Sequence, residues 1–139
     1  MDKVRDINYE IQISKHFERN IDILKNVLKT FSENEIEKLM VTERWLQILM
    51  EWIIWFSRYF LNIRYWIKSE KSRDVIDILF QKWDLDSKEY DDIIKMIWYR
   101  NILVHDYLDS DYKITEAILL EWKFLFIWKI FEKLKWKLV

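Results

Sequence analysis

The sequence predicts an all-α fold, an antiparallel bundle of four to five helices, and three observations support this prediction. Over most of the 139 residues, apolar side chains recur every three or four positions, which is the spacing of one helix face. No segment alternates between apolar and polar residues for long enough to be a strand. Short polar stretches with helix-start signals separate the helical segments. We expect a single domain over residues 1–139.

The first half of the chain contains two predicted helices. The motif "SENE" at residues 32–35 has the spacing of a capping box and predicts the start of the second helix. Thr42 is a candidate cap for the main body of that helix. The apolar stripe of the first helix consists of Ile13, Phe17, Ile21, Leu24, Leu28 and Phe31. The second helix is expected to bury Leu46, Leu49, Met50, Ile53, Ile54 and Phe60.

The second half contains three further predicted helices. The polar run at residues 68–74 predicts a loop with Ser72 as the next cap, and Asp86 with Glu89 forms another capping box. Residues 109–111, "DSD", end or interrupt the helix that follows, and a last helix runs from about residue 114 to the C-terminus. The apolar stripes of these three helices are Val75, Ile76, Leu79, Phe80 and Trp83; Tyr90, Ile93, Ile94 and Ile97; and Leu120, Phe124, Ile127, Phe131, Leu134 and Leu138.

The composition is unusual in its small residues. The chain has no glycine, no proline and no cysteine, but it has nine tryptophans. Average usage would give roughly ten glycines and seven prolines, so small residues have been exchanged for large ones, and artificial redesign is one explanation. The missing cysteines exclude disulfides and thiolate chemistry, and the missing glycines exclude phosphate-binding glycine loops. Helix ends are expected to rely on Asn, Asp and Ser.

Charge and hydropathy suggest a cytoplasmic protein. The formal net charge is −1, so a nucleic-acid binder would have to concentrate positive charge locally. The N-terminus is charged and has no apolar signal core, and no window of about 18 residues is free of charge. We therefore expect neither export nor a membrane span.

The stretch "WYRNILVHDYLDSDY" at residues 98–112 carries the candidate chemistry. On a helix, Asn101 and His105 share a face, while Arg100 lies on a neighbouring strip, so the set would flank a groove. A neutral imidazole can accept a proton from a ribose 2′-hydroxyl, and a guanidinium can bind phosphate oxygens and stabilise developing charge. The asparagine could orient the histidine or the phosphate. This chemistry suits phosphodiester cleavage and requires no metal or cofactor, although the same residues could form ordinary helix surface.

The motif "RNILVHDY" at residues 100–107 resembles the Arg-x4-His-x-Tyr motif of HepT-type toxins, a branch of the HEPN superfamily of ribonucleases. The likeness extends to "ERWLQILMEWI" at residues 43–53 and to the order of the helices, and it covers most of the chain. In the family, small residues usually precede the Arg-Asn pair, whereas this chain has Ile97, Trp98 and Tyr99.

The resemblance implies a homodimeric, metal-independent endoribonuclease toxin with its active sites at the dimer interface. It assigns the catalytic positions to Arg100, Asn101 and His105. It also implies an MntA-type nucleotidyltransferase antitoxin as partner, which attaches AMP to Tyr107. A two-fold axis would supply a second histidine, so that one could act as base and the other as acid.

Two other functions are compatible with the sequence. The chain could be a non-catalytic helical interaction bundle that retains the motif without the activity. The basic, aromatic segment at residues 122–139 could instead lie on a membrane surface, although a closing helix with lysines on its wet face explains it more simply. The other histidine, His16, and the scattered carboxylates are a poor signal for a metal site.

Overall fold

The computed structural model describes residues 4–32, 35–105 and 112–139, and the side chains of all these residues except 103–105. The described residues form six helices and no strand, which confirms the all-α bundle. The helices are α1 (Ile7–Thr30), α2 (Ile36–Tyr65), α3 (Ser72–Gln81), α4 (Ser87–His105), α5 (Tyr112–Leu120) and α6 (Phe124–Lys137).

Helix α2 is the centre of the bundle, because it packs against each of the other five helices. It is 30 residues long, and all six residues predicted for its core face are buried. Five phenylalanines with no exposed surface fill the space around it, and their burial supplies much of the hydrophobic stabilisation. These residues are Phe17, Phe56, Phe60, Phe124 and Phe131.

The capping box predicted at Asp86 and Glu89 is confirmed. The backbone N–H of Glu89 donates to Asp86 Oδ1 at 2.7 Å, and the backbone N–H of Asp86 donates to Glu89 Oε1 at 2.9 Å. At the start of α2, the backbone N–H of Ser32 donates to Glu35 Oε1 at 2.7 Å, and the helix begins at the next residue. The stretch therefore precedes a helix as predicted, but only half of the box forms, because the N-cap is Glu35 and its side chain makes no cap bond.

Two other predicted caps are wrong. Thr42 lies inside α2 and is buried, where its hydroxyl donates to the carbonyl of Lys38 at 2.8 Å. This bond to the preceding turn satisfies the hydroxyl without ending the helix. Ser72 is the first residue of α3 and Lys71 is the N-cap, so that prediction is displaced by one position.

Three helices are followed, within two residues of their ends, by a tryptophan with left-handed backbone geometry. Trp66, Trp83 and Trp122 have φ values of 62°, 64° and 57°. The expectation that Asn, Asp and Ser would end the helices is therefore wrong at these positions. At Trp122 the left-handed turn divides the predicted last helix into α5 and α6, and because the stripe is broken there, Leu120 is 49% exposed and not buried as predicted.

The predicted stripe of α3 is also too long. Val75, Ile76 and Leu79 are buried, but Phe80 is 40% exposed and Trp83 is 87% exposed. Helix α3 ends at residue 81, so the helical spacing that placed Trp83 beside Leu79 does not apply.

Candidate functional site

Helix α4 presents the motif residues at the edge of the bundle. Ile97 and Tyr99 are buried and fix the helix to the core, whereas Arg100 is half-buried and Asn101 is exposed. The change from buried to exposed positions follows from the rotation of about 100° per residue. The arginine and the asparagine are therefore presented at the surface by a helix that is firmly packed on its other side.

The Arg100 side chain forms an ion pair with Glu51 of helix α2. Nη1 of Arg100 donates to Oε1 of Glu51 at 3.1 Å, and the two side chains are 18% and 38% exposed. The two residues are 49 positions apart in the sequence, so packing of α4 on α2 brings them together. Sequence reasoning missed Glu51, although it is the only acidic residue between Glu43 and Glu70 in a largely apolar stretch.

His105 and Tyr107 complete the predicted set. His105 is the last residue of α4, so it follows Asn101 by four residues in one continuous helix, which is the spacing of a shared face. The side chain of His105 and the whole of Tyr107 lie outside the described residues. The placement of the imidazole and of the tyrosine hydroxyl relative to Arg100 therefore stays a prediction.

An open groove of about 410 Å³ runs along α4 beside the motif. Two cationic side chains line it, Arg73 and Lys95, although the chain as a whole has a net charge of −1. The Arg73 guanidinium is held by Asp77 at 3.2 Å and by the Tyr90 hydroxyl at 3.2 Å. The remaining lining residues are Ile94, Ile97, Trp98 and Asn101.

A buried polar chain lies behind the motif and joins three helices. The Tyr99 hydroxyl of α4 is 2.6 Å from the Thr115 hydroxyl of α5, which donates to Glu43 Oε1 of α2 at 3.2 Å. Burial raises the pKa of Glu43, and the hydrogen bond from Thr115 offsets only part of this effect. Burial also raises the pKa of Tyr99. These bonds fix α4 to its neighbours one residue before Arg100.

A comparison with protein families tests the resemblance that the motif suggested. Residues 17–121 match the family described as ribonuclease HepT-like. The chain belongs to this family. The matched range includes all four predicted site positions, Arg100, Asn101, His105 and Tyr107, and the match confirms the resemblance inferred from the motif. No curated protein matches the sequence.

Two solved structures share the fold of this ribonuclease HepT-like chain. A crystal structure of a toxin-antitoxin with AMP-PNP aligns with a TM-score of 0.78 at 18% identity, over 94% of this chain and 99% of that one. The cytosolic protein of unknown function YutE from Bacillus subtilis aligns with a TM-score of 0.75 at 20% identity, over 96% of this chain and 90% of that one. At these identities the likeness shows the fold alone.

The described residues show neither a metal-ligand cluster nor a membrane-spanning helix. No three His, Cys, Asp or Glu residues among them are grouped so that they could hold a metal ion. His16 is exposed, and its ring lies 5.2 Å from the Trp52 ring, centroid to centroid. None of the helices within the described ranges is long and apolar enough to cross a bilayer. The apolar stripe of α6 faces the core, which removes the main argument for a membrane-surface helix.

Proposed function

We propose that the chain is a metal-independent endoribonuclease, the toxin of a toxin–antitoxin pair, with its active site at residues 100–107. The observation that supports this most strongly is the half-buried Arg100, which Glu51 holds by an ion pair. The next residue, Asn101, is exposed and lines the open groove along α4. A guanidinium fixed in one orientation is suited to bind phosphate oxygens. Membership of the ribonuclease HepT-like family supports RNA as the substrate.

In the proposed reaction, His105 removes the proton from a ribose 2′-hydroxyl. The 2′-oxygen attacks phosphorus, the bond from phosphorus to the 5′-oxygen breaks, and the 5′-oxygen takes a proton from a second histidine. Arg100 binds the phosphate oxygens and stabilises the charge that develops on them, while Asn101 orients the reacting groups. The products are a 2′,3′-cyclic phosphate and a 5′-hydroxyl.

Cleavage of RNA by the wild type and by His105→Ala, both in EDTA, tests this proposal. The wild type is expected to cleave RNA and to leave DNA intact, because DNA has no 2′-hydroxyl. The variant is expected to lose activity by about 10²–10⁴-fold, which is the usual contribution of general acid–base catalysis. Loss of wild-type activity in EDTA, or equal cleavage of DNA, would contradict the mechanism.

The proposed active unit is a homodimer, with the two copies of residues 100–107 lining a cleft at or beside the interface. Each chain offers one motif histidine, and a two-fold axis supplies the second that an acid–base pair needs. Light scattering at high micromolar concentration should give the mass of two chains. A monomer at this concentration would count against both the dimer and the shared site.

The proposed control is by an MntA-type nucleotidyltransferase antitoxin that attaches AMP to Tyr107. In the sequence Tyr107 follows Arg100 by seven residues, which is about two turns of a helix. An AMP group attached there would bring a negative phosphodiester to the motif and would repel RNA phosphate. A structural neighbour was solved as a toxin-antitoxin with AMP-PNP, and this supports a partner that handles a nucleotide.

Intact mass after incubation with a cognate nucleotidyltransferase and ATP tests this control. The wild type should gain one AMP and lose RNA cleavage, and Tyr107→Phe should gain none. Tyr112→Phe, which changes a neighbouring tyrosine at the start of α5, is the matched control and should be modified like the wild type. Modification of Tyr107→Phe to the wild-type extent would exclude Tyr107 as the control point.

A further inference from the structure

Glu51 is an isolated carboxylate on the central helix. Its neighbours Met50, Ile53 and Ile54 are buried in the core, and its partner across the helix interface is Arg100. The Glu51 side chain is 38% exposed, and its carboxylate lies 3.1 Å from the Arg100 guanidinium.

Among the described residues, a single bond joins the two side chains, and it occupies one corner of the guanidinium. One oxygen of Glu51 accepts from one nitrogen of Arg100, whereas a guanidinium has five N–H donors in a rigid plane. A carboxylate that holds one corner of this plane fixes its orientation and leaves other donors for phosphate oxygens. The contact is also only partly exposed, so water screens it less than it screens a surface pair.

The geometry points to Glu51 as a positioning residue for phosphate binding by Arg100. This inference rests on the proposed ribonuclease activity, because it assigns Glu51 a role in that reaction. Glu51 does not contact the reacting atoms; it acts through Arg100. Misplacement of a catalytic group by about 1 Å can cost about 10²-fold in rate, so loss of the carboxylate should affect turnover more than substrate binding.

Steady-state RNA cleavage by Glu51→Ala and Glu51→Gln tests the inference. Glu51→Ala should lower kcat by about 10²-fold with little change in KM. Glu51→Gln keeps an oxygen acceptor at the same position, so it should recover most of the activity. Glu37→Ala changes an exposed glutamate in the first turn of α2 and should cleave like the wild type. The thermal unfolding of all variants is measured alongside, so that a loss of fold is recognised.

The outcomes separate this inference from the proposed function. If Glu51→Ala cleaves like the wild type while Arg100→Ala is inactive, the positioning role is excluded and the ribonuclease proposal stands. If Glu51→Gln is no more active than Glu51→Ala, positioning through the hydrogen bond is excluded. If the folded wild type cleaves no RNA, the proposed function fails and the role of Glu51 fails with it.

A second, independent observation concerns the tryptophans. All nine lie within the described residues, where six are exposed and none is buried, whereas five phenylalanines have no exposed surface. Three of the nine, Trp45, Trp52 and Trp128, are half-buried and pack against the core, so only the six exposed ones lack a packing role. The three non-glycine residues with positive φ among the described residues are all tryptophans.

Two of these three positions have the hydrogen bonds of a helix-ending Schellman motif. At Trp83, its N–H donates to the carbonyl of Phe80 at 3.1 Å and the N–H of Asp84 to that of Leu79 at 2.9 Å. The same pattern occurs at Trp122. The left-handed position of this motif is usually occupied by glycine, because a Cβ atom is unfavourable there.

We infer that the tryptophan positions of this chain are glycine positions of the protein in its native cell. The number of tryptophans, nine, is close to the roughly ten glycines expected for this length, and the chain has no glycine at all. One coding feature explains both: the codon UGA is read as tryptophan in some genetic codes and as glycine in another.

The codons at the nine positions and the peptide masses of the protein from its native cells test this inference. UGA codons and glycine-containing peptides are expected at all nine positions, and UGG codons or tryptophan in the peptides would overturn it. In recombinant protein, Trp83→Gly and Trp122→Gly should each raise the midpoint of thermal unfolding. Met40→Gly, at an exposed position inside α2 that the inference does not assign to glycine, is the matched control and should lower it. A lower midpoint for the first two variants would exclude a preference for glycine at Trp83 and Trp122.

Discussion

Two ion pairs of the molecule differ in how completely their donors and acceptors are used. In the Arg5–Glu10–Tyr59 cluster, Glu10 accepts two bonds from Arg5, at 3.0 and 2.5 Å, and one from the Tyr59 hydroxyl at 2.6 Å. Its side chain is 6% exposed. In the pair of Arg100 and Glu51, a single bond of 3.1 Å joins the side chains, and the carboxylate is much more exposed, at 38%. The two arginines differ less, since Arg5 is 32% exposed and Arg100 is 18% exposed.

The difference indicates what each arrangement is suited to do. Burial alone would raise the pKa of Glu10, but the bonds from Arg5 and Tyr59 outweigh burial and hold the pKa below its ordinary value. A carboxylate that is saturated in this way stabilises the fold and has little left for a ligand. At Arg100, Glu51 is bonded to only one of the guanidinium nitrogens in the part of the chain that the structure describes, and this suits the phosphate binding proposed for Arg100.

The largest expected effect is on catalysis at Arg100. Arg100→Ala should lower RNA cleavage by about 10²–10³-fold, because it removes donors that stabilise the charge on phosphorus. It should change the free energy of unfolding by about 1 kcal/mol or less, since the ion pair is partly solvated. Arg19→Ala, at an exposed position of α1, serves as the control and should change neither quantity. If the free energy of unfolding of Arg100→Ala falls far enough to account for its loss of cleavage, the Arg100–Glu51 pair is structural, and the contrast between the two ion pairs fails.

The next effect is on stability at Glu10. Glu10→Ala should lower the free energy of unfolding by about 2–3 kcal/mol, because it leaves Arg5 and the Tyr59 hydroxyl without their acceptor. The cleavage rate per folded molecule should be unchanged. Urea denaturation measures the first quantity, with the exposed Glu18→Ala as control, which should stay within about 0.5 kcal/mol of the wild type. A loss of cleavage per folded molecule would link Glu10 to the active site.

A smaller effect, outside both ion pairs, is expected at Trp83. Trp83→Gly should raise the free energy of unfolding by about 1 kcal/mol, because it removes a Cβ atom from a left-handed position while an 87% exposed side chain loses little packing. Met40→Gly, at an exposed position inside α2, should lower it by about 0.5–1 kcal/mol. Chemical denaturation distinguishes the two, and cleavage per folded molecule should be the same in both. If both substitutions lower the free energy of unfolding, the packing contacts of the Trp83 side chain outweigh the strain of its left-handed backbone.

The smallest expected effect is on the pH dependence of stability, to which two carboxylates with opposite pKa shifts contribute. The pKa of Glu10 is lowered by its bonds in the fold, so its stabilisation is complete above the ordinary pKa of about 4.3 and is lost as pH falls through the folded value. The pKa of Glu43 is raised by burial, so its charged form destabilises the fold at neutral pH and this penalty disappears as pH falls.

Stability of Glu10→Gln and Glu43→Gln, measured against the wild type from about pH 7 to pH 3, compares them directly. The Glu10 variant should be less stable than the wild type at neutral pH, with a difference that shrinks in acid. The Glu43 variant should be at least as stable as the wild type at neutral pH, with an advantage that also shrinks in acid. A change of the same sign in both variants would contradict the assignment of the two environments.

The parts of the fold that depend on local sequence were predictable. The bonds between Asp86 and Glu89 form within three residues, and the core face of α2 follows from a regular apolar spacing. The division of the last predicted helix was not predictable, because the apolar spacing continues across residues 120–124 while the backbone turns at Trp122. A bulky residue in a left-handed conformation opposes its own local preference, so no propensity argument reveals it.

The candidate site was predictable in part for the same reason. Arg100, Asn101 and His105 follow from one helical motif, and the structure places all three on α4. The role of Glu51 depends on packing between α2 and α4, across 49 positions of sequence, and a single sequence does not show that contact. The polar chain from Tyr99 through Thr115 to Glu43 was missed on the same ground.

The most direct test of the central claim is the chemical form of RNA ends produced in EDTA by the folded wild type and by Arg100→Ala, purified in the same way. Mass spectrometry of the fragments should show 2′,3′-cyclic phosphate and 5′-hydroxyl ends with the wild type and almost no fragments with the variant. Equal amounts of the same fragments from both proteins would mean that the cleavage does not arise at α4. No fragments from the folded wild type would contradict the ribonuclease activity itself.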